Sequence, residues 1–285
     1  MSVNKPSPLM RIAFFALLAV ILLYIAFPFY WAFRSAIMPD SDLFATPLQY
    51  WPSHPTLGNF SKVLGDGQFQ RALINSAIVA VTVTLIALVI GAMASYALGR
   101  FQFRGRQPIL YLILSMTMFP QVAVLGSLYN MVVQFGLFDH LGALILTYMI
   151  FTLPFTVWVL TSFFRGMPRE LEEAAYIDGA SPFQTFYKVM LPLVAPGLVT
   201  TGLLAFIAAW NEFLYALTFL QSPDVRTVPL AIFDFTPATA VGGSFQTPWG
   251  QIMAATVVVT IPLVVLTLIF QRRILAGLTA GAVKG

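Results

Sequence analysis

An all-α polytopic membrane protein with six transmembrane helices is the fold class this sequence predicts. Three observations predict it. Of 285 residues, 59% are hydrophobic and 9% charged, against roughly a quarter charged in an ordinary soluble domain, and the mean hydropathy is +0.84. Six apolar runs, near 10–33, 72–98, 108–128, 141–164, 193–219 and 250–270, reach the length of about 20 residues that a helix needs to cross a bilayer. Lys and Arg then segregate between the runs. Lys5, Arg11, Arg100, Arg104, Arg106, Arg165, Arg169, Lys188, Arg272, Arg273 and Lys284 fall on one side, and Arg34, Lys62, Arg71 and Arg226 on the other. The basic excess marks the cytoplasmic face, so both termini and the 165–192 loop are expected there.

The first run is far longer than the roughly 7 to 15 apolar residues of a cleavable signal. It reads as a retained helix after a cytoplasmic N-terminus of residues 1–9, opening a single transmembrane domain of residues 10–285. The segment 34–71, rich in Pro, Ser and aromatics, is expected to lie on the outer surface with Tyr50 and Trp51 at headgroup depth. A second outer stretch, 220–249, holds Pro223, Pro229, Pro237 and Pro248 with Gly242 and Gly243, and is expected to be irregular. Cysteine is absent, and His54 and His140 stand alone, so neither thiolate chemistry nor a metal site is expected. There is no GxxxxGK, HExxH or GxSxG segment. The chain is therefore expected to be no enzyme and to bind no cofactor. The net charge of +4 follows from topology and calls for no nucleic acid.

Against this background the stretch 170–197, ELEEAAYIDGASPFQTFYKVMLPLVAPG, is a charged island. Pro168 suits a first helical position, and Glu170, Glu172 and Glu173 crowd a first turn, where the helix dipole favours negative charge. Leu171, Ala174 and Ala175 give that helix a narrow face open to close approach by another backbone. Gly179 suits the left-handed position after its end. Ser181 and Pro182 form an N-cap and first-position pair for a second helix. Phe183, Phe186, Tyr187 and Met190, at i, i+3, i+4 and i+7, make one apolar face on it. Such a stripe is either a binding surface or a face that packs back on the protein's own helix ends or on headgroups.

The segment EAAYIDGASPFQTFYKVMLP resembles the EAA signature of ABC importer permeases, in the residues Glu173, Ala174, Ala175, Gly179, Leu191 and Pro192, with Val189 in place of the commonest isoleucine. The C-terminal QRRILAGLTAGAVKG resembles the tail of the MalG-like subunit of maltose/trehalose-type sugar importers. The resemblance implies a type I ABC importer permease fold. It also makes 165–192 a coupling loop, with Asp178, Ser181, Pro182, Phe183 and Phe186 among the residues meeting an ATPase. The tail 271–285, with Gly277, Leu278, Thr279 and Lys284, is implied to reach between ATPase subunits. Implied partners are two ATPase subunits, which carry the ATP and Mg, a second, MalF-like permease and an extracytoplasmic solute-binding protein. The implied location is a prokaryotic cytoplasmic membrane, and the implied cargo a carbohydrate such as trehalose or maltose, moved by alternating access.

Polar residues at span depth are costly and suggest a solute path. Asn130, Asn211 and Glu212 are candidates for sugar hydroxyls, with Tyr129 beside them. Gln121 is either a cap on the kink at Pro120 or a solute contact, and Trp210 is either an interfacial anchor or, like Tyr215, a ring to stack on a pyranose face. The alternative function is a secondary active transporter without an ATPase, which would need a coupling carboxylate at mid-membrane. Glu212 is the sole acidic residue outside the expected loops.

Overall fold

The computed structural model describes residues 8–235 and 247–282, with side chains through Arg272. Among the described residues every regular element is helical. In chain order these are α1 (Pro8–Ala36), α2 (Gly58–Gly65), α3 (Gly67–Arg100), α4 (Arg106–Thr117), α5 (Gln121–Gln134), α6 (Leu141–Gly166) and α7 (Glu170–Ile177). They continue with α8 (Pro182–Gln184), a π-type stretch (Thr185–Met190), α9 (Leu191–Leu193), α10 (Ala195–Trp210) and α11 (Leu214–Phe219). A 3-10 turn (Pro223–Val225), α12 (Val228–Asp234) and α13 (Trp249–Ala282) follow.

Among the described residues, four helices are long and apolar enough to cross a bilayer unbroken: α1, α3, α6 and the Trp249–Arg272 part of α13. The other two expected spans are broken. Between α4 and α5 the axis bends by 95°, and between Pro182–Leu193 and α10 by 76°. Pro120 stands at the first break, where its missing N–H and its ring prevent the helix from continuing. At the far end of α10 the expected run to residue 219 is also interrupted, at Asn211–Phe213, before α11. Alone, α10 measures about 24 Å, less than the roughly 30 Å of bilayer hydrocarbon. The two stretches expected on the outer surface are more regular than the sequence suggests. The first carries α2, and the second carries the 3-10 turn and α12.

The chain forms two compact units. One comprises Met1–Asp66 with Asp234–Thr260. In it the Asn59 amide donates to the carbonyls of Ala36 (3.1 Å) and Met38 (3.0 Å), tying α2 to the end of α1. Arg34 is buried, lies over the Trp31 ring and donates to the Gln49 carbonyl.

The other unit, Gly67–Phe233 with Ile261–Gly285, carries the candidate sites. Ser76, Ala80, Val83, Ala87, Gly91, Ser95 and Gly99 are buried on α3 at helical spacing. This is the small-residue stripe that lets membrane helices approach closely without a hydrophobic driving force. The Ser95 hydroxyl donates to the Val157 carbonyl of α6 (2.9 Å). At Gly99 a Cβ would sit 2.8 Å from the Phe164 Cβ, so this crossing requires glycine. Threonine hydroxyls at 147, 152, 161 and 201 donate to carbonyls one turn back, which satisfies them inside apolar packing.

At the end of the unit remote from Arg100, Asn75 donates to the carbonyls of Asp224 and Arg226, both at 2.9 Å, and Arg71 pairs with Asp224. Asp139, at φ 62°, accepts from the Gln221 (2.7 Å) and Ser222 (2.9 Å) backbone N–H groups and from the Ser222 hydroxyl. Partial burial would raise its carboxyl, but the Ser222 hydroxyl and these N–H groups outweigh it and hold the group below the usual carboxylate range.

Candidate functional site

The charged island folds as two short helical segments around a tight turn. The first, α7, begins at Glu170 with Arg169 as its N-cap. Pro168 therefore lies two residues before the helix rather than at its first position. Glu170, Glu172 and Glu173 occupy the first turn, as its dipole favours. At the other end Ala180 N–H donates to Ala175 (2.9 Å) and Gly179 N–H to Tyr176 (3.0 Å), the paired bonds of a Schellman cap. Gly179 holds φ 79°, so the backbone of this turn sits where a Cβ is penalised. Ser181 then caps α8. Its hydroxyl accepts from Gln184 N–H (3.3 Å), and its own N–H donates to Gln184 Oε1 (2.9 Å), a complete capping box with Pro182 next to it.

The apolar stripe of this second segment does not form one exposed face. Phe186 and Met190 are buried with Tyr96, Leu160, Phe164 and Val194, while Phe183 and Tyr187 point out. The physical cause is the π-type stretch from Thr185 to Met190. Its i→i+5 turns hold more residues than α-helical ones, so positions that would align in an α-helix separate. Leu191 is half-buried against the same core, and Pro192 is exposed. Of the α7 residues, Ala175 is buried, whereas Glu173, Ala174 and Asp178 are exposed, and Ile177 is 86% exposed. The surface offered outward is thus Leu171, Tyr176, Ile177, Phe183 and Tyr187, interspersed with Glu170, Glu173 and Asp178. Gly179, Ser181 and Pro182 form its exposed turn.

Sequence reasoning missed what holds this surface in place. Arg100, the last residue of α3, donates through Nε to Glu172 Oε2 at 2.8 Å, and its Nη2 lies 2.7 Å from the same oxygen. Nη1 donates to the carbonyls of Phe164 (3.2 Å) and Met167 (2.8 Å), and Nη2 to Pro168 (3.3 Å). The side chains are 5% and 13% exposed. In the sequence Arg100 counted only as a topological charge. Its partner lies 72 residues away, beyond any local spacing rule.

The candidate solute residues are dispersed. Tyr129 and Asn130 are exposed on α5, with Tyr129 edge-on to Phe138 at 5.6 Å. Asn211 is exposed and donates back to the Ile207 carbonyl (2.9 Å). Glu212 is buried and fully engaged. It accepts from the Tyr148 hydroxyl (2.6 Å) and from the N–H groups of Tyr215 (2.8 Å) and Ala216 (3.2 Å), so it caps α11 across the break after α10. The Tyr215 hydroxyl reaches the Gln121 carbonyl (3.2 Å), bracing the bend at Pro120. Trp210 is buried and stacked on Phe206 at 5.5 Å, so its ring is not presented outward as an anchor would be.

Of the tail residues, Gly277, Leu278 and Thr279 continue the α13 backbone, with side chains outside the described set, and Lys284 lies outside the described residues. Among the described residues no group of three His, Asp or Glu side chains could hold a metal.

Residues 87–279 match the family of binding-protein-dependent transport system inner membrane components. The chain is 44% identical to the trehalose transport system permease protein SugB of Mycobacterium tuberculosis, over 92% of this chain and 93% of that one. It is 42% identical to the trehalose/maltose transport system permease protein MalG of Thermococcus litoralis, over 94% of each. A sulfoquinovosyl glycerol transport system permease, SmoH of Agrobacterium fabrum, is 39% identical over 91% of this chain and 89% of that one. In fold, the chain is similar to a subunit in a crystal structure of a bacterial ABC transporter involved in import of the acidic polysaccharide alginate. The TM-score is 0.81 at 20% identity, covering 95% of this chain and 99% of that chain.

Proposed function

We propose that this chain, which belongs to the family of binding-protein-dependent transport system inner membrane components, moves a disaccharide of the trehalose or maltose type into the cytoplasm. The observation that carries the reading is identity of 44% and 42% to trehalose and trehalose/maltose permeases along nearly the whole chain. The energy comes from ATP and Mg in two separate ATPase subunits. A second, MalF-like permease and an extracytoplasmic solute-binding protein complete the assembly in the prokaryotic cytoplasmic membrane. Both termini lie in the cytoplasm, in keeping with the Lys and Arg bias between spans.

Within that assembly, the exposed face of α7 and the turn through Pro182 meets an ATPase. Glu173 offers it a carboxylate, and Ile177 and Phe183 offer apolar contact. Tyr129, Asn130 and Asn211 face the sugar. Glu212 supports that wall by holding α11. A secondary transporter would need Glu212 as a coupling carboxylate, and its bonds to Tyr148, Tyr215 and Ala216 leave it little capacity for an ion. The test is a reconstituted complex given a panel of sugars. Trehalose or maltose, delivered by the binding protein, is expected to stimulate ATP hydrolysis and enter the vesicle. Uptake without the ATPase subunits would overturn the reading.

A further inference from the structure

We propose that Arg100 and Glu172 are the positioning pair that transmits movement of the outward-facing α7 to α3 and α6. The inference rests on the importer reading and adds to it the residues through which force passes. Three helix ends meet at one guanidinium. Arg100 terminates α3, its Nη1 donates to the Phe164 and Met167 carbonyls at the end of α6, and its Nε and Nη2 hold Glu172 in the first turn of α7. Each charge stands where a helix dipole favours it, the cation at a C-terminus and the carboxylate at an N-terminus.

The planar fork of arginine suits such a junction, because its donors keep fixed directions as the helices shift. Gly99 makes the reach possible, since any Cβ there would drive α3 away from Phe164. By contrast, the face of α7 that points outward makes no use of Glu172, whose side chain is 13% exposed. The pair therefore lies behind the docking face rather than in it.

Two further groups indicate that the junction has a second setting. Glu172 Oε1 and the Tyr96 hydroxyl are buried close together without a well-formed hydrogen bond, the hydroxyl lying within interaction range of both Glu172 and Tyr176. Buried unsatisfied groups are costly, and two adjacent ones, a donor and an acceptor, can satisfy each other after a small rotation of α7. Open space adjoins the Tyr96 ring. A cavity of about 180 Å³ lies between α3 and the second segment, lined by Met93, Tyr96, Ala97, Phe101, Phe183 and Phe186 with Pro182. The carboxylate thus stays on Arg100 through Oε2 while Oε1 gains or loses Tyr96, giving a bistable element of the kind that carries coupling between distant sites.

The experiment uses the complete importer in vesicles, comparing wild type with R100Q, E172Q, the double variant R100Q/E172Q and the reversed pair R100E/E172R. Sugar moved per ATP hydrolysed is measured together with the amount of assembled complex. R100Q and E172Q are each expected to lower the ratio by about tenfold, within the range by which connecting residues alter coupling. The double variant is expected to fall no further, and the reversed pair, which sets a carboxylate against the Phe164 and Met167 carbonyls, not to recover the loss. An unchanged ratio in both single variants overturns the proposal, and so does a loss of assembly and transport in parallel at constant ratio.

A second readout needs no sugar. The chain has no cysteine, so spin labels at Q102C and I177C report the distance between the end of α3 and α7 directly. That distance distribution is expected to broaden in R100Q, in E172Q and in the reversed pair; equal widths throughout overturn the proposal. If the wild type moves no sugar on ATP while the labels respond as expected, the importer reading fails and the mechanical pair stands.

Discussion

Asp139 shows how one residue can hold a turn that its backbone alone would resist. A non-glycine at φ 62° is uncommon, and aspartate is among the residues that tolerate it. Its carboxylate offsets the cost by accepting from two backbone N–H groups and a hydroxyl of the 221–222 segment. The carboxyl is held below its ordinary value by those bonds, so the charged form is the stabilising one. The resulting contribution is present above the unfolded value of about 3.9 and is lost as pH falls through the lower folded value. Thermal unfolding of the purified chain is therefore expected to shift downward on acidification below about pH 4. Asp139→Asn should unfold earlier at neutral pH and lose part of that acid dependence. A parallel acid shift in both proteins would remove Asp139 from the explanation.

Among the elements, the turn after α7 is where local sequence and the proposed coupling role coincide most closely. Space around Gly179 is open, with no atom within 4 Å of an added Cβ, so only its φ of 79° restricts the side chain. The prediction follows from that separation of causes. Gly179→Val should cost about 1 to 2 kcal/mol at this turn and either rearrange it or weaken ATPase binding. Gly179→Asn, which enters the left-handed region more readily, should keep most coupled transport. If the two variants behave alike in uptake and ATP hydrolysis, backbone conformation at this turn is not what matters.

This turn was legible in the sequence because Gly179, Ser181 and Pro182 act on their neighbours within four residues. The spans were legible for a similar reason, since each is a contiguous apolar run. The bends were only half legible: Pro120 announces a kink, but not a 95° one, and nothing marks the break at Asn211–Phe213 until Glu212 is seen capping α11. The split of Phe186 and Met190 from Phe183 and Tyr187 was hidden because an α-helical period was assumed where a π-type stretch forms. Arg100 and Glu172 illustrate the deepest limit. Their pairing is a tertiary event, and a sequence with one arginine among several at a helix end does not say which of them is buried.

On the scale of the whole molecule, α13 extends farther than a span requires. Its 34 residues measure about 51 Å, while Trp249–Arg272 already exceeds the roughly 30 Å of bilayer hydrocarbon. The ten residues beyond, 273–282, carry the helix about 15 Å further. Their composition gives little reason for a free helix. Gly277 and Gly281 each disfavour one by about 1 kcal/mol, and short isolated helices are marginal in water. Small residues do, however, permit close approach to another surface, as the proposed insertion between partner subunits would require. Deleting residues 277–285 is therefore expected to leave membrane insertion unchanged, since the span and its edge at Arg272 remain. It should reduce the ATPase recovered with the purified chain and lower sugar uptake in proportion. Wild-type recovery and uptake in the deletion would make the extension a mere continuation of the span, with Arg272 serving only as its anchor.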